Sequence, residues 1–213
     1  MRQTTTEARM LYDLTVLALL PGTLGQVLPL LPATYANYTR NGRVLGAFSC
    51  EFGALNRFAF LSAYDDARAL AAERARLMDT EDPYGIGKYL ASVTSTAAKP
   101  LNFTKPIEPG EYGPFYEIRT YSMSPFGLPE TEEAWGRVVP RRSEISPILT
   151  VMATVEEGPQ KLIHIYPYHS IEQRQKARAQ AGKEGIWPPP GGSNHLTGLA
   201  NELWVAQPYS DLK

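Results

Sequence analysis

Leu11–Leu20 is a run of strand formers that stops at Pro21-Gly22, a turn signal. Thr23 can cap a helix behind it. Leu24, Val27, Leu28 and Leu31 recur at helical spacing, while Pro29 and Pro32 predict a kink or an early end. Gly42 stops that segment. Arg43–Phe52 and Asn56–Tyr64 are strand-like and flank Gly53-Ala54-Leu55, which predicts a hairpin. Asp65 or Asp66 caps a second helix to about Met78, with Ala67, Leu70, Ala71 and Leu77 on one face. After a loop at Glu81–Gly85 and a short helix near Gly87–Ser92, a last strand is predicted at Thr94–Phe103. The order is βαββαβ, the ferredoxin-like split βαβ arrangement.

The same order then returns. Phe115–Met123 is a strand, Leu128–Ser146 a helix expected to be interrupted near Pro140, and Leu149–Val155 with Gln160–Tyr168 a hairpin around Gly158-Pro159. Ser170 caps a helix to about Gln180, Gly185–Gly192 is a rigid proline-rich loop, and Leu199–Gln207 closes the unit. The residues repeat as well, at a constant offset of 104: Tyr12-Asp13-Leu14 as Tyr116-Glu117-Ile118, Pro21 as Pro125, Leu45 as Leu149, Tyr64 as Tyr168 and Arg74 as Arg178. An offset without slippage marks a duplicated unit. Two domains are expected, 10–104 and 115–208, joined by the Pro- and Gly-rich linker 105–114. A four-stranded sheet with both helices on one face leaves its other face bare. The expected fold is therefore α+β, two tandem ferredoxin-like units packed sheet to sheet.

Composition narrows the function classes. A formal net charge of −1 argues against nucleic acid held through phosphates and against an electrostatic membrane anchor. The one cysteine, Cys50, cannot form an internal disulfide, and its strand-like neighbours make it an inert buried thiol, with a nucleophile as the lesser reading. Met1–Arg9 lacks the apolar core of a signal peptide, and Met10–Leu20 is too short and too interrupted by Asp13 to span a membrane. The expected location is the cytoplasm. His164, His169 and His195 have no metal-ligand spacing, so neither a metal nor another cofactor is expected, and Gly85-Ile86-Gly87-Lys88 lacks Walker spacing.

The residues Tyr116-Glu117-Ile118-Arg119-Thr120-Tyr121, the turn Ser124-Pro125-Phe126-Gly127-Leu128, and the strand Asn56–Tyr64 ending in tyrosine together resemble the NIPSNAP family of the dimeric α+β barrel group. The resemblance runs through nearly the whole chain in tandem and implies an intramolecular dimeric α+β barrel. It implies little about activity, because members are mostly of undefined biochemical role. Thr15 stands where the family strand carries arginine, which Arg119 supplies in the second half.

Alternation sorts the opening strand of the second half into Tyr116, Ile118 and Thr120 on one face, and Glu117, Arg119 and Tyr121 on the other. The second set is expected to face the barrel interior, joined by Leu162, His164 and Tyr166, and by Glu202 and Trp204 from the closing strand. Arg119, Tyr121, Tyr166 and Trp204 are then candidate ligand-binding residues, with His164 or Glu117 as candidate proton carriers. The plainer reading is an internal Glu117–Arg119 ion pair and a core histidine bonded to tyrosine. The equivalent positions Asp13, Thr15, Phe60 and Ser62 are less polar, so the second half is the expected site. Trp187 reads as an anchor for its loop, or else a lid.

Three functions fit. The first is a non-catalytic module for a small apolar or anionic ligand, or for interaction. The second, raised by the resemblance, is a cofactor-independent monooxygenase, isomerase or decarboxylase acting on a small aromatic or carbonyl compound inside the barrel. The third is a protein-assembly scaffold, as trafficking roles of eukaryotic relatives suggest. Self-association as a homodimer is compatible with each.

Overall fold

The computed structural model describes residues 10–156 and 158–213; Met1–Arg9, with the expectation attached to it, lies outside them. The elements follow in the order β1 (Leu11–Leu19), α1 (Leu24–Val27), α2 (Leu31–Ala36), β2 (Arg43–Phe52), β3 (Arg57–Tyr64), α3 (Ala67–Met78), β4 (Leu90–Pro100), β5 (Phe115–Met123), α4 (Leu128–Ile145), β6 (Thr150–Thr154), β7 (Lys161–Tyr168), α5 (Ile171–Lys183) and β8 (Leu196–Ala206). Each half is βαββαβ, with its first helical segment split in two in the first half only. The strands close into an antiparallel barrel in the order β1-β3-β2-β8-β5-β7-β6-β4, in which β4 returns to β1. The two sheets are joined at their edges, β2 to β8 and β4 to β6. Closure leaves no sheet edge unpaired.

Local chemistry accounts for the boundaries. Gly22 takes a positive φ of 81° in the turn after β1. The Asp66 side chain accepts from the Ala69 N–H, and that of Ser170 from the Gln173 N–H, so α3 and α5 start where capping residues stand. Pro32 opens α2 rather than bending one long helix. Two expectations are corrected. The helix expected near Gly87–Ser92 is a single 3-10 turn, Gly87–Tyr89, after which β4 begins early at Leu90. Pro140 does not interrupt α4, because Trp135, Val139 and Arg142 are all buried against the second sheet and hold the helix across the missing hydrogen bond. Gly87 donates its N–H to the Asp82 carboxylate, which takes the place that a phosphate acceptor would need.

The barrel interior is apolar and shared. Tyr12, Leu14, Phe48, Leu61, Tyr116, Ile118, Ile163, Ile165 and Trp204 fill it, with Leu212 from the C-terminal tail. The Phe48 and Tyr116 rings, one from each sheet, meet at 4.7 Å. Full burial of side chains of this size stabilises by about 1.5–3 kcal/mol each. This reverses the expected sorting of faces. Tyr116 and Ile118 point into the barrel, while Glu117, Arg119, Tyr121, His164 and Tyr166 lie on the outer face, beneath α4 and α5. The physical reason is pairing: only the outer face brings arginines from α5 against Glu117. Among the described residues no helix is long and apolar enough to cross a membrane.

Candidate functional site

Alternation along β5 and β7 sets Glu117 opposite Tyr166 and Arg119 opposite His164, so four polar side chains share one patch. Glu117 is fully buried. One of its oxygens accepts from Arg119 at 2.9 Å. The other accepts from Arg174, from Arg178 at 3.3 Å and from the Asn201 amide at 2.9 Å. Arg174 and Arg178 stand one turn apart on α5, which puts both over the same spot of the sheet. Burial alone would raise the Glu117 carboxyl, but hydrogen bonds from Arg174 and Arg119 and the charge of both hold it at about 2.

His164 sits at the centre of an aromatic box. Its ring centroid is 4.5 Å from Tyr121 and 4.8 Å from Trp135, both edge-on, and its Nδ1 is 3.0 Å from the Tyr166 hydroxyl. Complete burial, with the Arg119 charge added, pushes the imidazole well below its usual range, so it is neutral at pH 7. Trp187 packs on Trp135 at 4.9 Å, and the Trp135 indole donates to the Gly192 carbonyl at 3.1 Å. Trp187 therefore anchors the proline-rich loop to α4. Two cations flank the Tyr166 ring: Arg119 at 4.9 Å and Arg142 at 5.3 Å from its centroid. Arg142 is 2 % exposed and donates to the Ser146 carbonyl at 3.1 Å. Among the described residues it has no acidic partner. His164 Nε2, Arg119 Nε, Arg142 Nε and the Tyr168 hydroxyl are buried without a protein hydrogen-bond partner.

Of the residues singled out in the sequence, Glu117, Arg119, Tyr121, His164 and Tyr166 come together. Trp204 does not. It lies in the barrel interior, on the other face of the sheet, while its neighbour Glu202 pairs with Arg57. Sequence reasoning missed Arg142, Arg174, Arg178, Trp135 and Tyr168 as parts of the patch. One signal was present: Arg178 repeats Arg74, and Arg174 stands four residues before it on a capped helix. Cys50 is half-buried beside Arg57, and burial raises its thiol above the usual range. His195 bonds Glu130 and Ser124 away from the patch. Among the described residues no group of acidic, histidine and cysteine side chains is placed to hold a metal ion.

The first half repeats the patch in weaker form. Asp13, in place of Glu117, accepts from Ser95 and Thr15, each at 2.6 Å, and lies 3.5 Å from Arg74. Elsewhere in that half, Glu73 is likewise held at about 2. Burial opposes this, but hydrogen bonds from Arg76, Arg40 and Asn41 overcome it. Both Glu73 and Glu117 thus sit below their unfolded values near 4.3. Each contributes stability that is fully present above about pH 4.5 and lost as the pH falls toward 2. Unfolding free energy should accordingly be nearly flat from pH 7 to 5 and drop steeply below 4.5. The stability gap between the parent and Glu117→Gln should close by pH 2. Urea titrations at stepped pH measure this, and a gap that persists at pH 2 would contradict it.

A family model, NIPSNAP, matches residues 116–201, the part that holds this patch. No curated relative matches the sequence. Among solved structures, an anthrone oxidase-like protein superposes with a TM-score of 0.68 at 13% identity, covering 95% of this chain and 93% of its own. A candidate monooxygenase from Lactobacillus acidophilus gives 0.64 at 8% identity over 93% and 94%. A second candidate monooxygenase, from Fusobacterium nucleatum, gives 0.60 at 13% over 93% of each chain. At these identities the likeness is one of fold.

Proposed function

We propose that this chain, whose second unit matches the NIPSNAP family, is a non-catalytic small-molecule-binding protein. Its working site is the helix-covered face of the second sheet. The carrying observation is the set of orphaned donors and acceptors there: His164 Nε2, Arg119 Nε, Arg142 Nε and the Tyr168 hydroxyl. A buried polar atom without a partner costs about 1–3 kcal/mol. Several lie on one patch with Tyr121, Trp135, Tyr166 and Trp187, and Glu117 and Arg174 of that patch line an open groove, which supports a small aromatic ligand with polar substituents.

A second reading, a cofactor-independent oxygenase or isomerase, draws on the neutral imidazole of His164 with one nitrogen free and a phenol on the other. That arrangement suits removal of a proton from an acidic C–H or O–H. The fold shared with oxidase-like and monooxygenase-like proteins is compatible with it. A thermal-shift screen of small aromatic and carbonyl compounds separates the two. A ligand present at 100 times its Kd stabilises by about 2.7 kcal/mol, a rise of about 5–10 °C for a chain of this length. Binding that is weakened in His164→Ala and is not followed by product formation is the expected result. Turnover by the parent that disappears in His164→Ala would establish the enzyme instead, and no binder at all would leave the scaffold reading.

A further inference from the structure

The molecule carries an internal comparison. In the first unit Arg74 on α3 is bracketed by two carboxylates, Asp13 on β1 and Glu156 from the β6–β7 hairpin of the other unit. Glu156 also accepts from the Ala97 N–H on β4 at 3.3 Å. In the second unit Arg178 takes the place of Arg74 and Glu117 that of Asp13, but the residue at the position of Glu156 is Phe52. The seam between the sheets is displaced there too. Strict repetition of the Ala98–Thr154 pairing would set Cys50 against Glu202, whereas Cys50 pairs with Trp204, two residues further along β8. The space that Glu156 fills in the first unit is open in the second. It is a groove of about 330 Å³ lined by Phe52, Gly53, Glu117, Arg174, Asn201 and Leu203, with Ile171 at its side.

Charge points the same way. One arginine faces two acids in the first unit. In the second, Arg119, Arg174 and Arg178 share the single carboxylate of Glu117. That leaves an excess of two positive charges. Glu117 is fully buried and its groove-side oxygen already has three donors, so it offers little repulsion to an incoming anion. Arg174 is 21% and Arg178 47% exposed at the side chain, and among the described residues neither has a second acidic partner.

We infer that the groove beside Phe52 and Gly53 takes the carboxylate of a small organic acid, held by Arg174 and Arg178 as Glu156 of the second unit is held by Arg74 of the first. The inference rests on the reading of the second unit as the small-molecule-binding half. It adds the chemical class, an aryl or alkyl carboxylic acid, and the side of entry. Planar guanidinium groups suit a carboxylate better than a neutral amide, because they supply paired donors together with charge. The apolar remainder of the ligand is received by Phe52, Ile171 and Leu203.

The probes are benzoate, phenylacetate and hexanoate, each beside its amide, titrated by calorimetry into the full chain at pH 7. Three variants accompany the parent. Arg174→Gln removes a donor that lines the groove, and Arg178→Gln removes the more exposed one. Phe52→Glu places a carboxylate on the groove wall by changing a residue that is 66% exposed, so the fold is retained. Circular dichroism verifies each variant. At least one acid should bind the parent ten-fold or more tightly than its amide, and less tightly as salt rises. Phe52→Glu and Arg178→Gln should each lose five-fold or more of that affinity, and Arg178→Gln, which leaves the apolar wall intact, should weaken the acid more than the amide. Equal binding of acid and amide, or a folded Phe52→Glu that binds the acid like the parent, overturns the inference and leaves the small-molecule reading standing. Failure of every acid and every amide to bind overturns both.

Discussion

Glu117→Ala should be among the most destabilising single substitutions in this chain, at about 3–5 kcal/mol. The wild-type carboxylate is fully buried and pairs with three guanidinium groups at once. Its removal leaves Arg119, only 6% exposed at the side chain, with no acidic partner, and sets three like charges against each other. For a chain of this length the loss corresponds to a fall in Tm of about 10 °C. Asp13→Ala, the matched change in the first unit, should cost far less. Arg74 is 40% exposed there and keeps Glu156. A double variant that also replaces Arg119 by leucine should recover part of the loss, because a buried charge without a partner costs more than an apolar side chain in its place. Urea unfolding of the parent and the three variants tests this. If Glu117→Ala lies within 1 kcal/mol of the parent, some other anion must compensate the arginines.

Trp135→Ala should follow closely, at about 3–5 kcal/mol. Its side chain is almost wholly buried, touches His164, Tyr121 and Trp187, and ties the proline-rich loop down through the Gly192 carbonyl. Truncation opens an apolar void beside His164 and frees the loop from α4. A void of that character stays dry and receives an aromatic guest, so indole at millimolar concentration should restore a measurable part of the lost Tm. Failure of indole to stabilise the variant, with normal circular dichroism, would mean that the loop and Trp187 collapse into the space.

The acid–arginine pairing recurs in both halves at the 104-residue offset, as Asp13 with Arg74 and Glu117 with Arg178, and the two pairs differ in their surroundings. In the first unit two carboxylates, its own Asp13 and Glu156 of the other unit, close around Arg74. The second retains an excess of cation, a more aromatic surround and an open groove. A single chain can diverge in this way because each sheet needs only the other's bare face for its core. One unit can therefore vary its polar patch without loss of the barrel.

Element order, the two-unit architecture and even the turns were legible in the sequence, because they rest on short-range rules. Period-two alternation, capping residues at Asp66 and Ser170, and the stop at Pro21-Gly22 each act within a few residues. The offset of 104 carried the pairing of units, since two identical bare faces have an obvious mate. Alternation also sorted Glu117, Arg119 and Tyr121 from Tyr116 and Ile118. It could not say which set meets the helices, because a strand buried on both faces reads the same from either side. Only the tertiary structure decided that, by bringing Arg174 and Arg178 of α5 over Glu117 and Phe48 of the other unit against Tyr116. Pro140 teaches the same lesson. Local chemistry argued for a break, and the burial of Trp135, Val139 and Arg142 on the sheet outweighed one lost hydrogen bond. The sequence by itself determined what could pair; long-range packing and charge decided which face would hold the polar patch.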